Sequence, residues 1–431
     1  MKSYKIVTFG CQMNLADSGS LAAVLNARGF HPAETEDDAD IVILNTCSVR
    51  EKAEDRVFGR LGELYGMKKM QPGKKIAVVG CMSQRLGERI LQRAPYVDII
   101  LGTDRMLELP QYVDDGAFGA QVHTEFGYEE IDGLVPVRDN RFAAFLTIMR
   151  GCNQYCTYCI VPYVRGEERS YPLEKIIFQV NQMAQDELKE ITLLGQNVNS
   201  YNDGRHDFAD LLRAVARDTD IARIRFMTSH PKDLSDRLID VMATEPKMMA
   251  HLHLPMQSGS DRILRRMGRI YTYQHYLNLI HKMRAAVADI AITTDLIVGF
   301  CSETEEEFQM TLRAAEEIRF DSAFMFRYSP RQGTAAYRLP DDIPDSEKIR
   351  RLSRLINLQK KISFEKNQEE LGKSRSVLVD GFSRRSQSVL KGKTEGNKTV
   401  LFKGAETLIG AIKTVRITSA DAWTLHGELE N

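Results

Sequence analysis

Six of the seven cysteines in this 431-residue chain fall into two sets of three. The compact set has the spacing Cys-x3-Cys-x2-Cys and comprises Cys152, Cys156 and Cys159. The dispersed set comprises Cys11, Cys47 and Cys81. A structural metal site usually closes with four protein ligands, whereas a reactive metal or cluster keeps one position open. Two sets of three cysteines therefore predict two cofactor sites, each with room for a reactant.

The N-terminal segment and the cysteine count bear on the compartment. Residues 1–9 run straight into a strand pattern and lack the long apolar region of a signal peptide. No apolar run reaches the roughly 20 residues that a membrane helix needs. We therefore expect a cytoplasmic protein without membrane contact, in which an odd number of cysteines indicates metal ligation better than disulfides.

The dispersed cysteines each follow a short run rich in isoleucine and valine. These runs are Lys5–Gly10, Ile41–Thr46 and Ile76–Gly80, and a fourth run is Val97–Leu101. Short apolar runs separated by helical patterns are typical of buried parallel strands in an α/β sheet. Because the carboxyl ends of parallel strands share one edge, we expect the three cysteines to gather there. Three unrelated core cysteines are the alternative, since free cysteine is often buried.

A second α/β series follows residues 112–140, which lack clear periodicity and have the glycine and proline content of a connector. Its candidate strands are Ala144–Met149, Glu190–Leu194, Ala222–Met227, Ala250–Leu254, Ile290–Val298 and Ala323–Tyr328. Helical patterns separate these strands, so about six βα units are present, and a partial (βα)6 barrel is expected rather than a complete one. The compact cysteines follow the first strand, at the end of the barrel where active sites form.

The C-terminal part differs in pattern and in charge. A long charged helical segment, Asp345–Glu370, precedes five short strand patterns punctuated by glycines, which predict a small β-barrel. Residues 371–431 contain ten Lys/Arg and six Asp/Glu, although the whole chain has a formal net charge of −1. This local excess of cations favours a nucleic-acid partner, and a solvated charged surface is the alternative. The sequence thus predicts three domains, at residues 3–120, 138–368 and 371–431.

The compact motif, Gly151-Cys-Asn-Gln-Tyr-Cys-Thr-Tyr-Cys-Ile160, resembles that of the radical S-adenosylmethionine (SAM) superfamily. The resemblance implies a [4Fe-4S] cluster on three cysteines whose fourth iron binds SAM, and it puts Tyr158 near the adenine of SAM. Polar and glycine-rich turns after the other strands are candidates for the rest of a nucleoside pocket. The predicted SAM-binding residues in these turns are Gly195, Gln196, Asn197, Ser229, Gln257 and Gly299. A zinc site or a chance match is the alternative.

Over nearly its whole length the chain resembles the methylthiotransferase family. That family joins an N-terminal α/β domain, a radical SAM domain and a small β-barrel called TRAM, in this order. The motifs that match its second, auxiliary [4Fe-4S] cluster are Gly10-Cys-Gln-Met-Asn14, Asn45-Thr-Cys-Ser-Val-Arg50 and Val79-Gly-Cys-Met82. The resemblance therefore implies that the dispersed cysteines bind the auxiliary cluster and the compact cysteines bind the radical cluster.

Segments Asn45–Glu54, Cys152–Ser170 and Pro255–Ser260 look most like the bacterial tRNA branch of this family. Membership of that branch implies methylthiolation of carbon 2 of N6-isopentenyladenosine at position 37, next to the anticodon, with two molecules of SAM. It also implies the tRNA anticodon stem-loop as a partner, an external electron donor and an external sulfur source, and we expect a monomer. The alternatives are the branch that acts on N6-threonylcarbamoyladenosine, the branch that acts on a ribosomal-protein aspartate, and a non-catalytic RNA-binding iron–sulfur protein.

One loop departs from the family pattern. After Gly299-Phe300 the family commonly has Pro-Gly, whereas this chain has Cys301-Ser302. We interpret this difference as a tolerated substitution that changes the shape of the loop and leaves the class of enzyme unchanged.

Overall fold

The computed structural model describes residues 2–48, 51–114, 119–127 and 133–430. Val49 and Arg50 of the motif around Cys47, and Gly116 of the predicted connector, lie outside the described residues. The chain divides into two compact units. The first comprises residues 1–139, 145–154 and 159–171, and the second comprises residues 140–144, 155–158 and 172–431. Among the described residues, none of the helices combines the length and the apolar character that crossing a membrane would require.

The first unit is built on a parallel α/β sheet, as predicted. Its strands are β1 Ser3–Phe9, β2 His31–Pro32, β3 Ile41–Thr46, β4 Lys75–Gly80, β5 Ile99–Leu101 and β6 Gln121–His123. The spatial order is β2-β1-β3-β4-β5-β6, and every pairing is parallel. Its helices are α1 Gln12–Ala27, α2 Glu51–Met70, α3 Cys81–Leu86, α4 Arg89–Arg93 and α5 Leu109–Asp114. The sheet is wider than the four predicted strands, because β2 and β6 extend its two edges.

Both faces of this sheet are covered by apolar side chains. Ile41 and Ile43 of β3 pack in one cluster with Leu25 of α1, whereas Val42 and Leu44 pack in a second cluster that includes the apolar side of α2. Alternate residues of a strand point to opposite faces, so one uninterrupted apolar run serves both clusters.

The rest of the first unit comes from residues on either side of the compact motif. Strand β7 Ala143–Thr147 begins in the second unit and ends in the first, and the antiparallel pair β8 Met149–Arg150 and β9 Arg169–Ser170 follows. Helix α6 Val161–Arg165 begins two residues after Cys159. Cys152 and Cys159 belong to the first unit and Cys156 belongs to the second.

The second unit contains the predicted βα series. Its strands here are β10 Glu190–Leu194, β11 Arg223–Met227, β12 His251–His253, β13 Ala291–Val298 and β14 Ser322–Arg327. Its helices are α7 Leu173–Ala184, α8 Phe208–Asp218, α9 Asp236–Thr244, α10 Asp261–Arg266, α11 Tyr273–Ala286, α12 Glu305–Ile318 and α13 Asp345–Gln368. Together with β7 the strands form two three-stranded sheets, in the orders β11-β10-β7 and β12-β13-β14. A parallel bridge pairs Ile224 of β11 with Met248, three residues before β12. The six-stranded partial barrel is therefore confirmed, with irregular pairing at its middle.

The predicted C-terminal β-barrel is also confirmed. Strands β15 Ser374–Ser383, β16 Ser386–Thr394, β17 Thr399–Lys403, β18 Ile412–Ala420 and β19 Thr424–Leu429 close in the order β15-β16-β17-β19-β18. Buried Arg223 and Arg225 of β11 donate to the carbonyl groups of Lys393 and Thr394 at 3.0 Å and 2.6 Å. These bonds fasten the barrel to the βα series within the same unit.

Candidate functional site

The first unit brings the three dispersed cysteines to one edge of its sheet. Strands β1, β3 and β4 are neighbours, and Phe9 is in register with Thr46, which is in register with Gly80. Cys11, Cys47 and Cys81 follow these three aligned residues by one or two positions. The sequence-based expectation that they meet at the carboxyl edge of the sheet therefore agrees with the register of the strands.

Two asparagines and two glycines hold these strand ends close together. Asn14 Nδ2 donates to Asn45 Oδ1 at 3.0 Å, and Asn45 Nδ2 donates back to the carbonyl oxygen of Asn14 at 2.9 Å. A Cβ atom on Gly80, which has φ +95°, would lie 2.6 Å from Asn45 Oδ1, and a Cβ on Gly10 would overlap the side chain of Asn14. Glycine is therefore required just before Cys11 and Cys81 for the strand ends to approach each other.

The environment of Cys81 is buried and electropositive. Cys47 and Cys81 are 6% and 5% exposed, whereas Cys11 is exposed. Arg165 donates a hydrogen bond from Nε to Cys81 Sγ at 3.2 Å, and Cys81 packs against Ile160 and Val164. Burial raises the pKa of the Cys81 thiol, and the neighbouring guanidinium of Arg165 partly offsets that effect. A cation at this position favours a thiolate, which is the form of cysteine that binds metal.

Arg165 belongs to a buried group of three charges, here called the Asp17 cluster: Asp17, Arg150 and Arg165. Asp17 Oδ1 lies 2.9 Å from Arg150 Nη2, and Asp17 Oδ2 lies 2.7 Å from Arg165 Nη2. The aspartate side chain is fully buried and the two arginine side chains are 4% exposed. Burial alone would raise the pKa of Asp17, but Arg165 and Arg150 outweigh burial and lower it, so the carboxylate is ionised. Sequence reasoning did not identify these three residues.

Hydrogen bonds join the start of the compact motif to residues 166–168, which follow helix α6 in the first unit. The backbone N–H of Cys152 donates to the carbonyl oxygen of Gly166 at 3.2 Å, and the N–H of Glu168 donates to Asn153 Oδ1 at 3.1 Å. Gly151 has φ +76°, and a Cβ atom there would overlap the carbonyl group of Glu167. Cys152 is 8% exposed and Cys159 is half-buried.

The middle of the motif, residues 155–158, lies in the second unit. Cys156 is buried, and Thr157 is anchored by its N–H to Met267 O at 2.9 Å and by its Oγ1 to Arg266 O at 2.8 Å. Tyr158 packs in an apolar cluster with Met267 and Phe300. Arg269 donates from Nη2 to the Tyr158 hydroxyl at 2.7 Å. The predicted adenine-side tyrosine is thus held by a residue that sequence reasoning missed.

Four of the predicted SAM-binding residues carry buried polar atoms that the protein does not satisfy. Within the described residues, no hydrogen-bond partner is found for Gln196 Oε1, Asn197 Oδ1, Ser229 Oγ or Gln257 Oε1. Gln257, and Thr228 next to Ser229, also adopt φ values of +72° and +68°. A buried polar group without a partner costs about 1–3 kcal/mol, and left-handed backbone at non-glycine residues adds to the cost. Such groups at the carboxyl ends of the strands suit a polar ligand with an amino acid moiety and a ribose.

The two predicted glycines have local roles. The carbonyl oxygen of Gly195 accepts a hydrogen bond from Thr228 Oγ1. Gly299 has φ +70°, and a Cβ atom there would lie 2.5 Å from Cγ of Lys348 on α13. Glycine at position 299 is therefore explained by the approach of α13, and SAM binding by Gly195 and Gly299 stays a prediction.

The loop that departs from the family pattern is well packed. Cys301 is fully buried beside Phe300 and Tyr328. Ser302 has φ +61°, its N–H donates to Asp342 Oδ1 at 2.7 Å, and its carbonyl oxygen accepts from Arg262 Nη2 at 2.6 Å. The seventh cysteine is therefore a core residue, and the serine occupies a left-handed position that favours glycine.

The donor sets suit iron–sulfur clusters. All seven cysteines are thiols rather than disulfides. In the described part of the chain, no three Cys, His, Asp or Glu side chains are placed to hold a single metal ion. Each thiolate ligand of a [4Fe-4S] cluster binds a different iron atom, so the cysteines of such a site stand farther apart than the ligands of one ion.

Three family models match successive parts of the chain. They are the uncharacterized protein family UPF0004 at residues 3–102, the radical SAM superfamily at residues 146–315 and the TRAM domain at residues 368–429. The chain is 46% identical to the tRNA-2-methylthio-N(6)-dimethylallyladenosine synthase of Dictyoglomus thermophilum, with 100% of this chain and 99% of that protein covered. The proteins of the same name from Carboxydothermus hydrogenoformans and a Thermoanaerobacter species are 44% and 47% identical, with 99% of this chain and 99% and 92% of those proteins covered.

Solved structures share the fold at low sequence identity. The radical SAM methyltransferase TsrM from Kitasatospora setae superposes with a TM-score of 0.56 at 13% identity, over 76% of this chain and 75% of that chain. The cobalamin-dependent radical SAM enzyme OxsB superposes with a TM-score of 0.54 at 14% identity, over 84% of this chain and 56% of that chain. These likenesses concern the fold alone.

Proposed function

Because this chain belongs to the tRNA-2-methylthio-N(6)-dimethylallyladenosine synthase family of radical SAM enzymes, we propose that it replaces the hydrogen on carbon 2 of N6-isopentenyladenosine in tRNA with a methylthio group. The observation that carries the proposal is full-length identity of 44–47% to proteins of that name. The two cysteine triads of the chain supply the matching donor sets. Position 37 of the anticodon stem-loop is the site we propose for the modified base.

Radical chemistry suits this substrate. The C–H bond at carbon 2 of adenine offers no acidic proton or leaving group on which a general acid or base could act. When bound, SAM and the radical cluster would supply the radical that takes the hydrogen, the auxiliary cluster would hold the sulfur that comes from an external source, and a second SAM would supply the methyl group. The remaining work of the protein is to hold these groups and the base in place and to exclude water.

We assign the compact cysteines Cys152, Cys156 and Cys159 to the radical cluster. Support comes from the family motif and from unsatisfied polar groups at strand ends of the second unit. Gln196, Asn197, Ser229 and Gln257 offer buried oxygen atoms as acceptors for the ammonium and hydroxyl groups of SAM. Arg269 fixes the Tyr158 ring through its hydroxyl, and we propose that this ring contacts the adenine.

We assign the dispersed cysteines Cys11, Cys47 and Cys81 to the auxiliary cluster. Support comes from the register of β1, β3 and β4, which aligns the three strand ends at one edge of the sheet. Three thiolates leave one iron of a [4Fe-4S] cluster without a protein ligand, and we propose that the sulfur to be transferred binds at that position.

The TRAM barrel is the proposed contact for tRNA phosphates. Several of its cations form ion pairs with carboxylates of the same chain. Arg375 pairs with Glu370, Lys391 with Asp380 and Lys398 with Asp321. The exposed cations that remain on its surface include Arg384, Arg385, Lys403 and Arg416. The basic surface is therefore smaller than the composition of residues 371–431 suggests. Arg384 and Arg385 lie in the β15–β16 turn and Lys403 pairs near the start of β16, whereas Arg416 pairs with the opposite end of β15.

The reaction needs partners outside this chain. We propose an external electron donor, an external sulfur source, a cytoplasmic location and a monomeric enzyme. A strain that lacks the gene tests the substrate: its tRNA should contain N6-isopentenyladenosine without the 2-methylthio group, as measured by mass spectrometry of nucleosides. If the 2-methylthio nucleoside persisted there while 2-methylthio-N6-threonylcarbamoyladenosine or a modified ribosomal-protein aspartate disappeared, the substrate assignment would be wrong.

A further inference from the structure

The proposed cluster ligands leave the Asp17 cluster without a role, although it lies against one of them. Arg165 is the last residue of α6, the short helix that follows the compact cysteines. Its side chain donates a hydrogen bond to Cys81 of the dispersed set in the same unit. Asp17 lies on α1, the helix whose N-cap residue is Cys11. The Asp17–Arg165 pair thus connects α1, which begins directly after Cys11, to α6, which begins two residues after Cys159.

Arg165 has more hydrogen-bond donors than the protein satisfies. Its Nε donates to Cys81 Sγ at 3.2 Å, and its Nη2 pairs with Asp17 Oδ2 at 2.7 Å. Its Nη1 is buried, and no hydrogen-bond partner for it is found in the described part of the chain. A guanidinium group that is 4% exposed gains little from water, so this donor points to an acceptor that binds there.

The acceptor that Arg165 faces is the sulfur of Cys81, which Nε contacts. Nε and Nη2 share one side of the guanidinium plane, and there they face Cys81 Sγ and Asp17 Oδ2. The thiolate of a cysteine that binds an iron–sulfur cluster is an anionic acceptor, so the Nε–H···S bond becomes a charge-assisted one.

We propose that Arg165 is a positioning residue of the auxiliary cluster, which donates a hydrogen bond from Nε to the Cys81 thiolate that binds the cluster. The proposal rests on the assignment of Cys11, Cys47 and Cys81 as cluster ligands. Hydrogen bonds to cluster sulfurs stabilise the more negative, reduced form and so raise the reduction potential. Arg165 therefore sets the potential of the auxiliary cluster, and Asp17 fixes the orientation of the guanidinium.

The test isolates the auxiliary cluster in the full-length protein by the substitutions Cys152→Ala, Cys156→Ala and Cys159→Ala. In this background the reduction potential is measured by a redox titration followed by electron paramagnetic resonance (EPR). Arg165→Lys keeps the positive charge but loses the Nε–H donor and the fork, so the potential shifts to a more negative value. Arg165→Gln shifts it further, because the charge is lost as well.

Arg150→Lys is the matched control, because Arg150 also pairs with Asp17 but donates its Nε–H to the Tyr171 hydroxyl instead of a cysteine. Its potential stays near that of the parent. An unchanged potential in Arg165→Lys, with the cluster intact, overturns the proposal. An equal shift in Arg150→Lys also overturns it, because the effect would then belong to the Asp17 cluster in general.

A second measurement needs no variant at Arg165. In protein labelled with ¹⁵N-arginine, pulsed EPR of the reduced auxiliary cluster shows a weak ¹⁵N coupling transmitted through an N–H···S bond, and the absence of this coupling overturns the proposal. Iron and sulfide analysis separates this failure from failure of the proposed function. If no cluster assembles in the background protein, the assignment of the dispersed cysteines is wrong and the role of Arg165 falls with it.

Discussion

Arg269 and Tyr158 form a partly buried hydrogen bond in which Arg269 Nη2 donates to the Tyr158 hydroxyl at 2.7 Å. The guanidinium also lies 5.9 Å from the centroid of the Tyr158 ring and 5.9 Å from that of Tyr271. Burial opposes the charge of Arg269, but Tyr158, Tyr271 and Cys156 outweigh it and raise the arginine pKa. The orientation of the proposed adenine-side ring thus depends on a cation 111 residues away in the chain.

Tyr158→Phe should weaken SAM binding. The change removes the acceptor for a buried cation, which costs about 1–3 kcal/mol, and it releases the ring from its fixed orientation. We expect the dissociation constant of SAM, measured anaerobically by equilibrium dialysis, to rise about tenfold, which corresponds to roughly 1.4 kcal/mol. Tyr271→Phe is the control, because the Tyr271 hydroxyl donates to backbone carbonyl groups at Pro255 and Met256. Equal weakening in both variants would argue against a specific role for the Arg269–Tyr158 bond.

Cys152→Ala and Cys47→Ala should separate the two cofactor sites. Loss of Cys152 should abolish reductive cleavage of SAM, because the radical cluster loses a ligand. Loss of Cys47 should leave 5′-deoxyadenosine formation measurable while stopping formation of the methylthio product. Chromatography of 5′-deoxyadenosine and mass spectrometry of digested tRNA report the two steps separately. A Cys47→Ala protein that still made the methylthio nucleoside would refute the sulfur-holding role of the dispersed cysteines.

Arg384→Ala combined with Arg385→Ala should weaken tRNA binding equally for modified and unmodified tRNA. Each phosphate contact that is lost should reduce the magnitude of the slope of log K against log salt by about 1. The slope can be measured by filter binding between low and physiological salt. Lys391→Ala is the comparison variant. Lys391 forms an ion pair with Asp380, so its replacement should change the slope little. A double variant with an unchanged slope would place the tRNA contact elsewhere.

His230 should make the stability of the protein depend on pH. Burial, Arg269 and Lys232 lower the pKa of His230 to about 3. Because the pKa is about 6.5 in the unfolded chain, the neutral histidine contributes its full stability above pH 6.5, and that stability is lost as the pH falls towards 3. The free energy of unfolding, measured in urea on cluster-free protein, should fall more between pH 7 and pH 5 in the wild type than in His230→Gln. An equal fall in the free energy of unfolding of the two proteins would show that the fold does not lower the pKa of His230.

Ser302→Gly should stabilise the protein by up to about 1 kcal/mol. The serine has φ +61°, where an L-residue is strained by about 1–2 kcal/mol. The greater freedom of glycine in the unfolded chain and the loss of the Oγ contact with Arg262 cancel part of the gain. Ser302→Ala keeps the strain and loses the contact of Oγ with Arg262 at 3.3 Å, so it should destabilise. Thermal unfolding ranks the three proteins, and a glycine variant less stable than the alanine variant would contradict the strain argument.

The sequence predicted the elements whose pattern is local. The apolar runs Ile41–Thr46 and Glu190–Leu194 coincide with β3 and β10 because a buried parallel strand needs an uninterrupted apolar segment. The short edge strands His31–Pro32 and Gln121–His123 were not predicted, since pairing with a neighbour holds them in place and they lack an apolar pattern of their own.

Only part of the candidate site could be predicted from the sequence, because some of its features depend on tertiary contacts. Cysteine spacing predicted both proposed cofactor sites, and strand ends pointed to Gln196, Ser229 and Gln257, whose role in SAM binding stays a prediction. Charged residues such as Asp17, Arg165 and Arg269 carry no such signal, because Asp and Arg are usually exposed and only tertiary pairing makes their burial tolerable. Left-handed backbone at Thr228 and Gln257 is likewise imposed by the surrounding structure and is invisible in the residue types.

The central claim is the replacement of the adenine C2 hydrogen by a methylthio group, and it can be measured directly. Reconstituted protein would be incubated without oxygen with SAM, dithionite, a sulfide source and tRNA that carries N6-isopentenyladenosine. We predict that mass spectrometry of the digested tRNA will show 2-methylthio-N6-isopentenyladenosine, together with 5′-deoxyadenosine. Protein with both clusters loaded that cleaved SAM but left the isopentenyladenosine unchanged would contradict the account.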